Sequence, residues 1–199
     1  MSFEENEVSE IDLVANASPI NWVNKGAVNG IKNQMACGLC FGFSAVASME
    51  AAHQIKSGKL LSFSEQQILD CAPGSCSGGN YASSFAYYET SYAMTENSYP
   101  YTHKLATCQY KSGSNTGVKS TGHSSVTKNS PDAMKTAVSK GVVSVSVNAS
   151  PSSGSFQNYK TGIYNEKNCG DTVNHAVNIV GHYIWRRRNG GYRHSDQCG

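Results

Sequence analysis

The sequence predicts an α+β protein whose helices come first and whose strands come later. Apolar residues recur at helical spacing in the first half of the chain, whereas Val and Ser alternate with the period of a strand only in residues 142–147. A Ser/Gly/Thr-rich segment, residues 112–122, separates the two patterns. This order is typical of two packed sub-lobes, and 199 residues are enough for one such domain.

The first predicted helix begins at Cys40. Apolar side chains recur every three to four residues from Phe41 to Ala52, and Gly58 is a natural stop because glycine tolerates the left-handed conformation that ends many helices. The residues before Cys40, from 19 to 35, contain several Asn and Gly residues and are predicted to be extended coil.

Three further helices are predicted. Ser64 followed by Gln67 is a capping box for a second helix that runs through Leu69. Residues 81–95, rich in Ala, Tyr and Phe, and residues 132–139 are predicted to form the third and fourth helices.

Two strands and two irregular segments complete the expected layout. The alternating residues 142–147 and the apolar run 176–180 are predicted strands. The Gly/Ser/Cys stretch at 72–80 is predicted to be irregular, and residues 112–122 mark the expected boundary between the lobes.

Charge and hydropathy exclude several classes of protein. Lys and Arg number 16 against 14 Asp and Glu, so there is no electrostatic reason to expect nucleic-acid binding. The sequence has no apolar run that approaches the ~20 residues of a membrane span. Its first ten residues are acidic and lack the layout of a secretion signal.

The chain has seven cysteines, which is an odd number. Scattered cysteines predict an oxidising compartment with three bridges and one free thiol. The spacing of Cys37 and Cys40 is also that of a redox dithiol, but such a motif follows a buried strand, and the residues before Cys37 are polar and turn-prone. A zinc site made of these two residues with Cys71 and Cys76 would leave His175 without a role.

Cys40 is the candidate nucleophile. It lies where coil becomes helix, and the free N–H groups and the dipole of a helix N-terminus favour a thiolate. Gln34, six residues earlier, is placed to offer an amide N–H to a developing oxyanion together with the Cys40 backbone N–H. Of six histidines, His175 is the candidate base because it opens an apolar strand; the alternative is a strand-end histidine that is merely hydrogen-bonded.

Motifs along residues 19–182 resemble, in order and spacing, the papain-like cysteine peptidases of the cathepsin L type. The C-terminal part is atypical or truncated by that standard. The motifs are Ile20-Asn21-Trp22, Lys32-Asn33-Gln34, Cys37-Gly38-Leu39-Cys40, Phe43-Ser44-Ala45, Ser62-Phe63-Ser64-Glu65-Gln66, Leu69-Asp70-Cys71, Cys76-Ser77-Gly78-Gly79, Tyr99-Pro100-Tyr101, Phe156-Gln157-Asn158-Tyr159, Gly162-Ile163-Tyr164 and Asn174-His175-Ala176-Val177.

The resemblance implies a papain-like two-lobe fold with the active-site cleft between the lobes. The helical lobe would cover about 25–122 and the β-barrel-like lobe about 123–199, while residues 1–18 would be a propeptide remnant or a disordered N-terminus. The resemblance also implies that the protein is located in a lysosome-like vacuole or in the extracellular space.

The resemblance also implies roles for individual residues. Cys40 would attack the peptide carbonyl and form a thioester, with His175 as general acid and base and Gln34 in the oxyanion hole. Gly78 and Gly79 would bind an extended substrate through their backbone. Further substrate-binding positions would be Asn80, Tyr81, Ser146, Asn174 and Ala176.

By the same resemblance the bridges are Cys37–Cys76, Cys71–Cys108 and Cys169–Cys198, which leaves Cys40 free. The implied partners are protein or peptide substrates and an inhibitory propeptide or cystatin-like inhibitor. The resemblance also implies a monomer and a reaction that needs no cofactor or metal.

The tail departs from the family pattern. The family orients its histidine with an Asn in an Asn-Ser-Trp-Gly motif, which this sequence lacks; Asn189 is the remaining candidate. Phe41 stands where the family has Trp, and Leu39 where it has a small residue. The alternative function is therefore a pseudo-peptidase or binding module that keeps the fold but lacks the orienting Asn.

Overall fold

The computed structural model describes residues 18–150, 156–164, 166 and 169–183. Its helices are α1 (Cys40–Ser57), α2 (Glu65–Cys71), α3 (Tyr81–Thr90) and α4 (Pro131–Lys140), with a 3₁₀ turn at Ser112–Ser114. Its strands are β1 (Ile20–Asn21), β2 (Gly74–Ser75), β3 (Gly78–Gly79), β4 (Val143–Val147), β5 (His175–Ile179) and β6 (Gly181–His182). The predicted order of four helices followed by the longer strands is confirmed. None of the described helices is long and apolar enough to cross a bilayer.

Helix α1 has the predicted bounds. It begins at Cys40, and Gly58 ends it in the left-handed conformation, at φ 74°, with its N–H donated to the Gln54 carbonyl. A residue with a Cβ would be strained in that conformation, which explains why the apolar periodicity stops at a glycine.

Helix α2 has half of the predicted capping box. Ser64 Oγ accepts a hydrogen bond from Gln67 N at 3.0 Å. The Gln67 side chain instead donates to the Tyr92 carbonyl at 2.9 Å and accepts from Met94 N at 2.8 Å. It therefore fastens the segment after α3 to the start of α2, and α2 itself continues to Cys71.

Three segments differ from the prediction. Residues 20–21, inside the predicted coil 19–35, form β1 and pair with β6. Residues 72–80 contain a short antiparallel hairpin in which β2 pairs with β3, rather than irregular coil throughout. Helix α3 ends at Thr90 instead of residue 95, because the backbone that follows pairs elsewhere: Ala93 N donates to the Val118 carbonyl at 2.8 Å and Thr116 N donates to the Ala93 carbonyl at 2.9 Å.

The helical core lies between α1, α2 and α3. It consists of apolar side chains that are almost fully removed from solvent, and their burial is the main driving force for folding this half of the molecule. Its members include Leu39, Phe41, Val46, Phe63, Ile68, Leu69 and Tyr88.

On its other side, α1 packs against the antiparallel pair β4–β5, in which Val143 faces Ile179 and Val147 faces His175. Hydrogen bonds hold this contact, which we call the polar seam: it comprises Ser44, Ser48, Ser144 and Asn178. Asn178 Nδ2 donates to the Ser44 carbonyl at 2.9 Å and to Ser48 Oγ at 3.0 Å. Ser44 Oγ donates to the Val177 carbonyl at 2.9 Å, and Ser144 Oγ donates to the Ser44 carbonyl at 3.1 Å.

Candidate active site

Cys40 is the first residue of α1 and is a half-buried free thiol. The residue before it, Leu39, makes no side-chain capping hydrogen bond, and the first turn of α1, which is described throughout, contains no acidic residue. Gly42 N donates to the Leu39 carbonyl at 2.9 Å, so the N–H groups of Cys40 and Phe41 are those that can stabilise a negative charge at this end.

Leu39 does not occupy the space in front of the thiol. Its side chain is fully buried in the helical core, where it packs so closely on Gly42 that a Cβ there would lie 2.9 Å from Leu39 Cδ1. The larger residue beside the nucleophile is thus accommodated below the site.

Two disulfides shape the surroundings of Cys40. Cys37 is bonded to Cys76, and Cys71 is bonded to Cys108. Cys169 is also disulfide-bonded, and Cys198, its predicted partner, lies outside the described residues.

The first bridge holds the β2–β3 hairpin against the Cys40 loop. Gly38 N donates to the Cys76 carbonyl at 2.8 Å, and a Cβ at Gly38 would lie 2.6 Å from that oxygen. A Cβ at Gly79 would overlap the buried Phe41 ring. Phe41 thus supports the hairpin from beneath, which keeps the backbone of Gly78 and Gly79 at the surface near Cys40.

Gln34 lies in the coil before α1. The side-chain Nε2 of Gln34 donates one hydrogen bond to the Cys37 carbonyl at 3.1 Å. The backbone carbonyl of Gln34 accepts one from the Tyr101 hydroxyl at 2.9 Å. A primary amide has two N–H groups, so the bond to Cys37 orients the side chain with a second donor to spare.

His175 opens β5 and lies at the same end of the polar seam as Cys40. The seam joins Ser44 to Val177. Cys40 precedes Ser44 by one helical turn, about 6 Å, and His175 precedes Val177 by two strand residues, about 6.6 Å. A second contact, from Asn178 to Ser48, lies further along both elements, so α1 and β5 run in the same direction here and Cys40 and His175 belong to matching ends. Burial lowers the pKa of His175 below its ordinary value, which favours the neutral imidazole of a base.

The remaining predicted substrate-binding residues belong to both the helical half and the β4–β5 half of the fold. Ser146 on β4 faces Ala176 on β5. Asn80 caps α3 by accepting a hydrogen bond from Ala82 N at 2.8 Å, and Tyr81 packs against the helical core. Asn174 Oδ1 accepts from Ala149 N at 2.9 Å.

Asn174 and Ala149 border a cavity of about 560 Å³ beside His175. Asn189, the candidate for the orienting Asn, lies outside the described residues. Within the part of the chain that the structure describes, no group of three His, Cys, Asp or Glu residues is arranged to hold a metal ion.

A scan against protein families matches the model described as "Papain family cysteine protease" over residues 17–190. The chain belongs to the papain family of cysteine proteases. Its similarity to stem bromelain of Ananas comosus is 38% identity over 165 residues, which cover 82% of this chain and 76% of that one. Digestive cysteine proteinase 1 of Homarus americanus is 38% identical over 179 residues, which cover 86% of this chain and 55% of the relative.

Solved structures give the same answer for the fold. The bromelain protease from Ananas comosus, in complex with the E64 inhibitor, aligns with a TM-score of 0.78 at 38% identity, over 87% of this chain and 78% of the other. The recombinant stem bromelain precursor aligns with a TM-score of 0.81 at 36% identity, over 96% and 60% of the two chains. The papain-like α+β fold predicted from the sequence is thereby confirmed. The chain spans about half the length of some curated relatives, 55% and 46% for two of them.

Three features of this papain-family site were not predicted from the sequence. They are the hydrogen bond from Tyr101 to Gln34, the polar seam that aligns α1 with β5, and the placement of Phe41 under Gly79. Each joins residues that are far apart in the chain, 67 positions in the first case. Local periodicity contains no signal for such contacts, although Tyr101 and Ser44 both fall within motifs of the family.

Proposed function

We propose that this chain is a cysteine endopeptidase that hydrolyses peptide bonds through a thioester formed on Cys40. The main support is the position of a free thiol at the uncapped N-terminus of α1, at the same end of the polar seam as His175. Family membership supports the same reaction.

The first half of the proposed reaction forms the acyl-enzyme. His175 accepts the Cys40 proton, and the thiolate attacks the carbonyl carbon of the peptide bond. The carbonyl oxygen becomes an oxyanion that accepts hydrogen bonds from the Cys40 backbone N–H and from the second N–H of the Gln34 amide. The carbon–nitrogen bond then breaks, the nitrogen takes the proton from His175, and the amine leaves.

The second half releases the acid. A water molecule gives a proton to His175 and attacks the thioester carbon, which forms a second oxyanion in the same place. Collapse of that intermediate breaks the carbon–sulfur bond and releases the carboxylic acid, and the Cys40 thiolate takes back the proton from His175. Gly78 and Gly79 bind the extended substrate, with side-chain contacts from Asn80, Tyr81, Ser146, Asn174 and Ala176.

The proposal extends to the substrates, the compartment and the division into lobes. The substrates are proteins or peptides, and an inhibitor that occupies the same cleft competes with them, as suggested by the E64 complex of bromelain. The compartment is a lysosome-like vacuole or the extracellular space, which suits a protein with disulfides. The lobes divide near residue 122, and Asn189 orients His175.

The test is hydrolysis of a fluorogenic dipeptide amide by the purified chain. We expect turnover that disappears after treatment with iodoacetamide and is absent in Cys40→Ala, with the alkyl group located on Cys40 by peptide mapping. Prior incubation with E64 should protect Cys40 from alkylation. A folded sample that shows no alkylation-sensitive turnover would instead support a pseudo-peptidase that binds substrate without cleaving it.

A further inference from the structure

Gln34 lies in a segment without regular secondary structure. Residues 31–39 contain neither helix nor strand, so the position of this residue depends on individual contacts. Its amide is tied to the Cys37 carbonyl, and Cys37 is in turn fixed by its bridge to Cys76. The Gln34 main chain is held from another direction, by the hydroxyl of Tyr101 at 2.9 Å from the Gln34 carbonyl.

Tyr101 is itself held in place. Its N–H donates to Glu96 Oε1 at 2.8 Å. Its ring packs edge-on against Phe43, with 5.1 Å between the ring centroids. Phe43 belongs to α1 and is three residues after Cys40, so the ring of Tyr101 packs directly on the helix that carries the thiol. The hydroxyl of Tyr101 thus links the position of Gln34 to the position of Cys40.

The hydroxyl of Tyr101 keeps its proton to a higher pH than that of a free tyrosine. Burial raises the pKa of Tyr101, and the nearby Glu65 carboxylate raises it further. A backbone carbonyl is a constant acceptor, so this hydrogen bond does not change with protonation.

We propose that Tyr101 is a positioning residue for the oxyanion hole, acting through the Gln34 backbone without touching the substrate. This inference rests on the proposed function and adds to it the element that aligns Gln34 with Cys40. Stabilisation of an oxyanion requires donors held within a few tenths of an ångström of their best position. The Gln34 carbonyl also accepts a hydrogen bond from Cys37 N at 3.3 Å, but that contact lies within the same loop, and Tyr101 adds the contact that comes from outside it.

The test is Tyr101→Phe, which removes one oxygen and keeps the ring against Phe43. Loss of one oxyanion donor lowers kcat by about 10²–10³-fold, and misalignment of a donor that is still present should have a smaller effect. We expect Tyr101→Phe to lower kcat by about tenfold with little change in KM. The rate at which iodoacetamide alkylates Cys40 should stay the same, because alkylation forms no oxyanion.

A double-mutant cycle separates positioning from general stability. Gln34→Ala should lower kcat by about 10²-fold, and adding Tyr101→Phe to it should change kcat by less than about twofold. Tyr99→Phe is the matched control: the Tyr99 hydroxyl donates to Asp70 at 2.7 Å and lies in the same segment. It should lower the unfolding midpoint and leave kcat unchanged.

The outcomes are distinct. If the wild-type chain has no turnover, the proposed function fails. If the wild type is active and Tyr101→Phe has the same kcat, or lowers kcat equally in the presence and absence of Gln34, the positioning role is wrong. Should Tyr101→Phe fold poorly, Glu96→Ala removes the acceptor for the Tyr101 N–H and should lower kcat through Gln34 in the same way, by a smaller factor.

Discussion

Helix α1 packs against apolar side chains on one side and against hydrogen-bonding groups on the other. Towards α2 and α3 it contributes Phe41 and Val46 to the helical core. Towards β4 and β5 it contributes Ser44 and Ser48 to the polar seam. Apolar burial is non-directional and tolerates small shifts, whereas hydrogen bonds fix distance and angle. We infer that the helical core supplies stability and that the polar seam sets the register between Cys40 and His175.

The largest expected effect is a loss of stability from the helical core. Leu69 is 1% exposed, and Leu69→Ala should lower the free energy of unfolding by about 2–5 kcal/mol because it leaves a cavity. The kcat of the molecules that remain folded should stay close to that of the wild type. Urea unfolding and kcat per E64-titratable site measure the two quantities. A large fall in kcat at unchanged folded fraction would contradict the division of roles.

The helical side also contains a buried cluster of charged side chains. Lys32 Nζ contacts Glu50 Oε1 at 3.0 Å and Glu65 Oε1 at 2.7 Å, and both carboxylates are 2% exposed. Burial raises the pKa of Glu65 to about 7; Lys32 opposes this shift, and Glu50 and Glu96 add to it. The folded chain therefore holds a proton on Glu65 that the unfolded chain has already released at the same pH.

The stabilising contribution of Glu65 should consequently fall as the pH rises. Between the ordinary pKa of a glutamate and about 7, folding is coupled to proton uptake by Glu65, so its contribution is present at acidic pH and is lost as the pH rises to about 7. Glu65 should account for a loss of about 3 kcal/mol in the free energy of unfolding between pH 5 and pH 8, measured by urea unfolding, and the lowered pKa of His175 acts in the opposite direction. Glu65→Gln, which cannot titrate, should show a smaller difference; an equal difference in both proteins would assign the pH dependence to other groups.

Disrupting the polar seam should destabilise the protein less than a cavity in the helical core does, but it should lower activity more. Asn178→Ala removes the two hydrogen bonds to Ser44 and Ser48 and should lower the free energy of unfolding by about 1–3 kcal/mol. Because the register of β5 against α1 is loosened, kcat should fall by more than it does in Leu69→Ala. The same assays apply. Equal kcat values in Asn178→Ala and Leu69→Ala would contradict the inference that the seam, and not the helical core, sets the register between Cys40 and His175.

The sequence predicted the helical side of the molecule better than the seam, for a physical reason. Apolar periodicity, the Ser64 cap and the Gly58 stop are local signals, and the structure contains α1 and α2 where they predict them. The seam depends on Ser44 meeting Val177, 133 positions away, and serines at helical or strand positions resemble surface residues in sequence. The end of α3 was missed because long-range pairing of Ala93 overrides the helical propensity of residues 91–95.

The smallest expected effect concerns single hydroxyl groups on the two sides of α1. Ser84 on α3 is fully buried, and its Oγ has no hydrogen-bond partner among the described residues, whereas Ser48 Oγ in the seam accepts from Asn178. Removing an unsatisfied buried hydroxyl relieves a desolvation cost, and removing a satisfied one exposes its partner. Ser84→Ala should therefore raise the free energy of unfolding by about 1 kcal/mol, and Ser48→Ala, the matched change in the seam, should lower it by a similar amount. Thermal unfolding of the two variants and the wild type measures the two changes in stability. If both variants shift in the same direction, the presence of a hydrogen-bond partner does not decide the effect of removing a buried hydroxyl.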